Sequence, residues 1–339
     1  MENKRKKILS FTKLEIGFVS GKFRHILLPP VDGTADEGEL IAVIGRNGIG
    51  KSTLLRTLTG LQHLISGDLR LDSKPVQEYS RISLSAKIGY ISTEIVKVSN
   101  MRVYDLVSLG RFPHTNWMGR INESDEKTIS EAIIMTGMHG LRERPVTELS
   151  DGERQRTMIA MLLAQDTKIM VMDEPTAFLD ISSKFEIIHL LLELTRTRKK
   201  TIIFSTHDLT TAVSQADKIW LLKGEGLIEG APEDLMLKEA FTHLFDESKV
   251  KYNAADGSFA IRNEEKGAVT LRGDGEKKYW TEKALVRAGY SISDSKSALE
   301  IETPSEINEK WRCRTPGNSK EFTSIYELVT WIRDGSITC

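Results

Sequence analysis

The chain has 339 residues, with 47 lysines and arginines against 48 aspartates and glutamates, which gives a formal net charge of −1. This length suffices for one large domain and a small one, and the balanced charge argues against nucleic acid as a partner. Nowhere do about eighteen apolar residues run together, so we expect no membrane-spanning helix. The two cysteines, Cys313 and Cys339, have neither metal-site nor redox-motif spacing.

The first forty residues are predicted to form short, partly antiparallel strands, because apolar and polar positions alternate and Pro29, Pro30 and Gly33 interrupt them. Three further elements are predicted before residue 73: a buried strand at 39–44, a helix at 52–58 and a strand at 68–72. Residues from about 101 to 165 have mostly helical periodicity, with a turn-rich stretch near 112–119.

Strands and helices alternate again after residue 165. The predicted strands lie at 168–172, 201–205 and 218–222, and the predicted helices at 183–195 and 210–216. Strands separated by helices favour parallel pairing, with helices packed on both faces of the sheet. We therefore expect an α/β domain over residues 1–245, with a mainly parallel sheet, an antiparallel β subdomain, and a helical subdomain at about 100–165.

The composition shifts near residues 246–257, which we interpret as a linker. The pattern beyond it predicts strands at 258–262 and 268–272, a helix at 280–288, two or three strands, and a helix at 324–332. Apolar residues recur at helical spacing on both helices, which is typical of a buried face. We expect residues 250–339 to form a small accessory α+β domain, with a regulatory or dimer-stabilising role as a hypothesis.

A glycine-rich loop separates the buried strand at 39–44 from the helix at 52–58, which is the setting of a phosphate-binding loop. Its backbone N–H groups can turn inward around phosphate oxygens, and the helix dipole adds to the attraction. Lys51 would neutralise the β- and γ-phosphates, and the Ser52 hydroxyl would bind Mg²⁺. The predicted nucleotide-binding residues of this loop are Gly45, Asn47, Gly48, Gly50, Lys51, Ser52 and Thr53. An ordinary glycine-rich turn before a helix is the alternative.

Two further strands end in polar residues. Asp173 and Glu174 follow the apolar strand at 168–172. Asp173 suits Mg²⁺, directly or through water, and Glu174 is the better candidate for polarising the attacking water. His207 follows the strand at 201–205 and could contact the γ-phosphate, because ligands bind where the ends of parallel strands meet. Solvated acids and a structural histidine are the alternative interpretations.

In that order, the phosphate loop, the segment at residues 149–156 and the acidic pair resemble the nucleotide-binding subunit of an ATP-binding cassette (ABC) transporter, over roughly residues 8–245. The resemblance implies a P-loop NTPase fold with a RecA-like sheet and hydrolysis of ATP with Mg²⁺. It also implies that Ser150 and Gly152 reach the γ-phosphate held by a second copy, so that the chain works as a homodimer.

The resemblance extends to residues outside these motifs. It implies that Asp180 lies near the dimer seam and that Phe18 stacks on adenine, with a core-facing strand aromatic as the alternative. Two positions depart from the family. Asp151 stands where a glycine is usual, and its carboxylate would repel triphosphate unless it points away. Thr93 or Glu94 stands where the family has a glutamine that contacts Mg²⁺ and senses the permease, and we hypothesise that one of them takes this role.

Residues 110–114, Gly-Arg-Phe-Pro-His, and residues 178–180 resemble one subgroup of importers, which carry iron–siderophore complexes, haem or cobalamin. A generic segment of the helical subdomain is the alternative. Because residues 110–114 lie where the family docks its permease, they indicate a type of permease, and the cargo only by association.

The leading interpretation is therefore the ATP-hydrolysing subunit of an importer that takes up an iron–siderophore, or else haem or cobalamin. It would be peripheral on the cytoplasmic face of a bacterial inner membrane, bound as a homodimer to integral-membrane permease subunits, and served indirectly by an extracytoplasmic substrate-binding protein. An ABC ATPase without a permease, acting in soluble assembly or regulation, is the alternative. A P-loop kinase or GTPase would not need residues 149–153.

Overall fold

The computed structural model describes residues 6–20, 23–93, 101–115, 119–241, 250–253, 258–261, 266–295, 297–305 and 310–334. The chain divides into two compact units, Met1–Ala240 and Phe241–Cys339. Across these described ranges, every helix is too short or too polar to cross a membrane.

The first unit combines three groups of strands with helices. Its strands are β1 (Lys7–Glu15), β2 (Gly17–Ser20), β3 (Phe23–Ile26), β4 (Val31–Asp36), β5 (Leu40–Ile44), β6 (Ser66–Leu71), β7 (Lys74–Pro75), β8 (Ile88–Ile91), β9 (Ile169–Met172), β10 (Thr201–Ser205), β11 (Lys218–Lys223) and β12 (Gly226–Gly230). Its helices are α1 (Lys51–Leu58), α2 (Arg81–Ser85), α3 (Val103–Ser108), α4 (Glu123–Met135), α5 (Asp151–Ala164), α6 (Ile181–Arg198), α7 (Leu209–Gln215) and α8 (Pro232–Leu237).

The central sheet has the strand order β12-β11-β5-β10-β9-β8. Every neighbouring pair is parallel except β11 and β12, which pair antiparallel at one edge. Every residue of β5, β9 and β10 is buried, as expected for parallel strands covered on both faces. The prediction of an α/β fold with a mainly parallel sheet is confirmed.

A second sheet, in the order β4-β1-β6-β7, is antiparallel throughout. It packs on the central sheet through a shared apolar core, in which Phe11 of β1 meets Trp220 of β11 edge-to-face with ring centroids 5.3 Å apart. The short hairpin of β2 and β3 stands apart from this core, because the described side chains of its second strand are exposed.

The helical part of the first unit consists of α3, α4 and α5, which pack against one another. A 3-10 helix, Leu109–His114, joins α3 to the following segment. Its Arg111 is buried and pairs with the buried Asp125 of α4 at 2.8 Å, and it also donates to the carbonyl oxygen of Ala164 at 2.9 Å. Arg111 therefore ties three helical elements together from inside.

The first described strands of the second unit, β13 (Val250–Asn253) and β14 (Ser258–Ile261), form a hairpin. Its remaining elements are β15 (Gly267–Arg272), α9 (Gly275–Arg287), β16 (Tyr290–Ile292), β17 (Leu299–Glu302), β18 (Trp311–Thr315), β19 (Asn318–Phe322) and α10 (Ile325–Arg333). The last five strands form a sheet in the order β16-β15-β17-β18-β19. Apolar side chains of this sheet and of both helices form a core of their own, including Val269, Leu285 and Leu328.

Two details of the predicted C-terminal region are wrong. Residues 250–253 form a strand inside the segment interpreted as a linker, because they find a partner in β14. Four strands, β16 to β19, lie between the two helices within the described residues, whereas two or three were expected. A tight turn at residues 316–317 joins β18 to β19, and Gly317 has a positive φ of 87° there, so these two runs merge in the sequence pattern.

Candidate nucleotide-binding site

The strand order of the central sheet brings three loops to one edge. β10 lies between β5 and β9, with Ser205 paired to Val43 and Phe204 paired to Met172. Because all three strands are parallel, the segments that follow them leave the sheet on the same side. The glycine-rich loop, the acidic pair and His207 are therefore neighbours in space.

The glycine-rich loop has a backbone that requires glycine at several positions. Gly48 and Gly50 have φ angles of 77° and 112°, in the left-handed region that side chains disfavour. A Cβ at Gly45 would lie 2.8 Å from the carbonyl oxygen of Leu222. Asn47, Gly48 and Ser52 are exposed at the loop surface, whereas Lys51 and Thr53 are buried.

Lys51 lies folded back on this loop. Its Nζ donates to the carbonyl oxygens of Gly45 at 2.9 Å and Arg46 at 3.2 Å. Burial lowers the pKa of Lys51, and the carboxylates of Glu174 and Asp173 act in the opposite direction. The lysine and the two acids predicted to act together are thus close enough to influence one another electrostatically.

Ser205, at the end of β10, organises the acidic pair, and sequence reasoning did not single it out. Its Oγ donates to Asp173 Oδ1 at 2.6 Å and accepts a hydrogen bond from the backbone N–H of Glu174 at 2.9 Å. His207 Nε2 contacts Glu174 Oε1. The sequence did contain a signal for Ser205, since it is a polar residue at the end of a mostly apolar strand.

Glu174 has a backbone conformation that is unusual for its residue type. Its φ of 49° lies in the left-handed region, which costs a non-glycine residue on the order of 1–3 kcal/mol. The bond from its N–H to Ser205 and the contact with His207 hold it there. The backbone and the carboxylate of Glu174 therefore each have a partner, Ser205 and His207 respectively.

The segment at 149–156 begins α5. Ser150 caps this helix by accepting from the N–H of Glu153 at 3.3 Å, and Glu153 Oε2 accepts from the N–H of Ser150 at 2.8 Å. The hydrogen bond from the Ser150 backbone lowers the pKa of Glu153. Asp151 pairs with Arg154 of the same helix at 2.7 Å, so its negative charge is partly balanced within its own chain.

The beginning of α6 lies against the beginning of α5. Asp180 caps α6 by accepting from the N–H and the hydroxyl of Ser183, at 2.9 and 2.8 Å, and these hydrogen bonds lower the pKa of Asp180. A Cβ at Gly152 would lie 2.9 Å from Ser183 Oγ. Among the described residues, Ser150 bonds within the beginning of α5, Asp180 bonds within the beginning of α6, and the approach of Gly152 to Ser183 joins the two helices.

Phe18 lies on β2 and is 52% exposed, so the core-facing alternative is wrong, while stacking on adenine stays a prediction. Thr93 is exposed just after β8. Glu94 lies outside the described residues.

An apolar groove of about 1140 Å³ opens between the central sheet, α2 and the 3-10 helix Leu109–His114. Leu61, Ile82 and Phe112 line it and are largely exposed. Tyr90 of β8 also lines it, and its hydroxyl donates to Asp173 Oδ2 at 3.5 Å. Burial is the main cause of the raised pKa of Tyr90.

Residues 110–114 have mixed structural roles. A Cβ at Gly110 would lie 2.1 Å from the carbonyl oxygen of Met161, so this position lets the 3-10 helix approach α5. Arg111 is buried in its ion pair, and His114 Nε2 lies 2.8 Å from the carbonyl oxygen of Gln165. His114 is exposed, and Phe112 is 74% exposed and lines the groove.

The chain matches known proteins along most of its length. The family model described as ABC transporter matches residues 28–177, and the model described as iron ABC transporter C-terminal domain matches residues 266–333. An uncharacterized ABC transporter ATP-binding protein of Methanocaldococcus jannaschii is 34% identical over 257 residues, covering 76% of this chain and 87% of that protein. The chain belongs to the ABC transporter ATP-binding proteins.

Other ABC relatives have named cargoes. A petrobactin import ATP-binding protein of Bacillus anthracis is 32% identical, covering 78% of this chain and 90% of that protein. The ferric enterobactin transport ATP-binding protein of Escherichia coli is 37% identical, covering 62% of this chain and 78% of that protein. The solved structure of cbiO1 from Clostridium perfringens, part of an ABC transporter complex, matches with a TM-score of 0.60 at 29% identity, covering 69% of this chain and 92% of that one. This ABC ATPase therefore binds and hydrolyses ATP.

Proposed function

We propose that this ABC ATPase energises the import of an iron–siderophore complex through a membrane permease. The observation that carries the proposal is the match of residues 266–333 to the C-terminal domain of iron ABC transporters. The petrobactin and ferric enterobactin relatives support the same class of cargo. Haem and cobalamin are the alternative cargoes, and the uptake assays compare them with an iron–siderophore complex.

Within the site, Lys51 is the proposed partner of the β- and γ-phosphates, and Glu174 the proposed acceptor that orients the attacking water. His207, held against Glu174, is the proposed contact of the γ-phosphate. The Ser52 hydroxyl and the Asp173 carboxylate offer the hard oxygen ligands that Mg²⁺ prefers. Bound Mg²⁺ would neutralise charge on the phosphate oxygens.

A second copy of the chain is the proposed source of the remaining phosphate contacts. Ser150 is exposed and Gly152 is buried at the beginning of α5, next to Asp180 at the beginning of α6. Three apolar side chains around Asp180 are exposed, namely Phe178 at 86%, Ile181 at 76% and Phe185 at 61%. A surface of this kind supports burial against a partner, and a two-fold homodimer would pair each copy's α5 with the other copy's phosphate loop.

The apolar groove lined by Leu61, Ile82 and Phe112 is the proposed docking site of the permease. The ABC ATPase would then sit on the cytoplasmic face of the membrane as a peripheral subunit. An extracytoplasmic binding protein would deliver cargo to the permease from the other side.

The test is an in-frame deletion of the gene in its source cell, followed by uptake assays with radiolabelled iron–siderophore, haem and cobalamin. We expect loss of iron–siderophore uptake, restored by the wild-type chain and not by Glu174→Gln. Loss of haem or cobalamin uptake instead would overturn the cargo. Normal uptake of all three, together with a purified chain that brings no multi-helix membrane protein with it, would favour an ABC ATPase without a permease.

A further inference from the structure

The phosphate loop carries a charged side chain that the proposed ATP contacts do not use. Arg46 follows Gly45 after the end of β5 and is exposed, whereas Lys51, the other cation of the loop, is buried. The carbonyl oxygen of Arg46 accepts from Lys51 Nζ at 3.2 Å and from the N–H of Ile49 at 3.3 Å. These two bonds fix the backbone at Arg46 within the loop, so the arginine is held at the loop surface.

The surface next to this arginine is open in a single copy of the chain. Asn47 and Gly48 are exposed as well, and a Cβ placed at Gly48 would meet no described atom within 4 Å. A guanidinium has five N–H donors in a fixed fork, so contacts within its own chain still leave donors for a carboxylate. Arg46 is therefore suited to pair with an acid that approaches the loop from outside.

Asp151 is the acid that a second copy would bring to this loop. It lies between Ser150 and Gly152, the two residues proposed to reach the γ-phosphate held by the other copy, and consecutive Cα atoms are only about 3.8 Å apart. Its side chain is 59% exposed, and Arg154 contacts its Oδ1 at 2.7 Å. Docking of Ser150 and Gly152 on the phosphates would therefore also carry this carboxylate to the opposing phosphate loop.

In a closed dimer, Asp151 would lie near the negative phosphates of the other copy. The repulsion between a carboxylate and a triphosphate is stronger in a closed interface than in water, because the effective dielectric constant is lower there. Arg154 balances the charge in part, from within the same helix. A cation on the opposing loop would balance the rest, and Arg46 is the exposed cation of that loop.

We propose that Arg46 of each copy forms an ion pair with Asp151 of the other copy when ATP closes the homodimer. Two-fold symmetry forms the pair twice, once at each phosphate loop. Because like charges placed opposite each other are repelled, the two pairs also make the interface selective for a second copy that carries the same two charges. The inference rests on the proposed homodimer.

The test reverses these charges in chains that also carry Glu174→Gln, so that bound ATP is not hydrolysed. One chain carries Arg46→Glu and the other Asp151→Arg. Each chain alone would place like charges opposite each other twice, so we expect its dimer dissociation constant with ATP to rise at least about tenfold. In an equimolar mixture, both contacts of the mixed dimer join opposite charges, and the constant should return to within about threefold of the Glu174→Gln parent. Sedimentation velocity with and without ATP measures these constants.

The matched control is Asp68→Arg, since Asp68 also pairs with an arginine of its own chain and should leave dimerisation as in the parent. Each charge-reversed monomer should bind a fluorescent ATP analogue as the parent does. Loss of this binding in Arg46→Glu would overturn the inference, because Arg46 would then act on the nucleotide of its own chain.

The mixing experiment distinguishes failure of the pair from failure of the dimer. If the parent dimerises with ATP and the mixture dimerises no better than the two chains do separately, the inference is overturned while the proposed homodimer stands. If the parent stays monomeric with ATP, the proposed homodimer is wrong and the inference falls with it.

Discussion

His207 Nε2 contacts Glu174 Oε1 across the ends of neighbouring strands β10 and β9. The contact orients a carboxylate whose backbone already has the unusual φ of 49°. A group held in one direction before its substrate arrives loses little freedom during reaction. Glu174 is thus the residue whose change should separate ATP binding from ATP hydrolysis most clearly.

Changing Glu174 to glutamine keeps the shape of the side chain and removes its charge. We expect ATP hydrolysis to fall by about 10²- to 10⁴-fold, the typical contribution of a general base, while ATP still binds. Phosphate release and binding of a fluorescent ATP analogue measure the two effects. Glu186→Gln is the matched control, since Glu186 pairs with Arg156 on the surface of α6. Normal hydrolysis by Glu174→Gln would show that another group polarises the water.

Changing Ser205 to alanine should lower both stability and activity. Asp173 Oδ1 and the N–H of Glu174 would lose their shared partner, and an unsatisfied buried polar group costs about 1–3 kcal/mol. Denaturant unfolding and ATPase assays measure the two effects. The control is Ser108→Ala, because Ser108 donates to the carbonyl oxygen of Tyr104 within its own helix and should change the unfolding free energy by less than about 0.5 kcal/mol. Equal stability of the two variants would contradict the bridging role.

Arg154 should affect the KM for ATP because it pairs with the Asp151 carboxylate. Removing Arg154 leaves the Asp151 carboxylate unbalanced where a second copy's triphosphate is proposed to bind, so we expect the KM for ATP to rise about threefold to tenfold, and less at high salt. Replacing Asp151 with glycine in the same chain should restore the KM. Arg156→Ala serves as the control, since its partner is Glu186. If the KM of the double variant is no lower than that of Arg154→Ala, Arg154 acts independently of Asp151.

The buried pair of Arg111 and Asp125 should carry much of the stability of the helical part. Arg111→Ala leaves a buried carboxylate without its cation, and such changes cost about 3–5 kcal/mol. Arg102→Ala breaks an exposed pair with Glu143 and should cost less than about 1 kcal/mol. Urea unfolding of both variants tests the difference, and similar losses would contradict it.

Asp125 should also shape the acid stability of the protein. Burial tends to raise its pKa, but the hydrogen bond from the Asn122 N–H and the contact with Arg111 outweigh burial and lower it. A depressed folded-state pKa contributes stability above the unfolded value of about 3.9, and the contribution is lost as pH falls through the folded value. Asp125→Asn should therefore be less stable at pH 7 and lose less on acidification, as melting curves at pH 7, 4 and 3 would show.

The buried parallel strands were predictable because each is a short apolar run with polar residues at its end. The strand predicted at 201–205 is Thr201–Ser205 in the structure, and the helix predicted at 52–58 begins one residue earlier. The two edge strands of the central sheet, β8 and β12, were not predicted from the sequence. β8 contains Gly89, where a side chain would collide with Leu162. β12 is short and only half-buried. Edge strands have weaker patterns because one side lacks a neighbour.

The site residues named by motif were predictable, and their partners were not. A motif fixes spacing along the chain, which suffices to single out Lys51 and Glu174. Ser205 and Tyr90 reach Asp173 only because of the pairing register of β8, β9 and β10, and Arg154 reaches Asp151 through a choice of side-chain rotamer. Neither the pairing register of strands nor the rotamer of a side chain can be read from the order of residues.

The close approach of Gly152 to Ser183 sets the spacing between two helix beginnings. A Cβ at position 152 would lie 2.9 Å from Ser183 Oγ, and that hydroxyl also donates to the Asp180 carboxylate that caps α6. A larger residue at position 152 would therefore displace Ser183 and disturb the cap of α6 as well as the beginning of α5. One glycine thus protects the hydrogen bonding of a neighbouring helix.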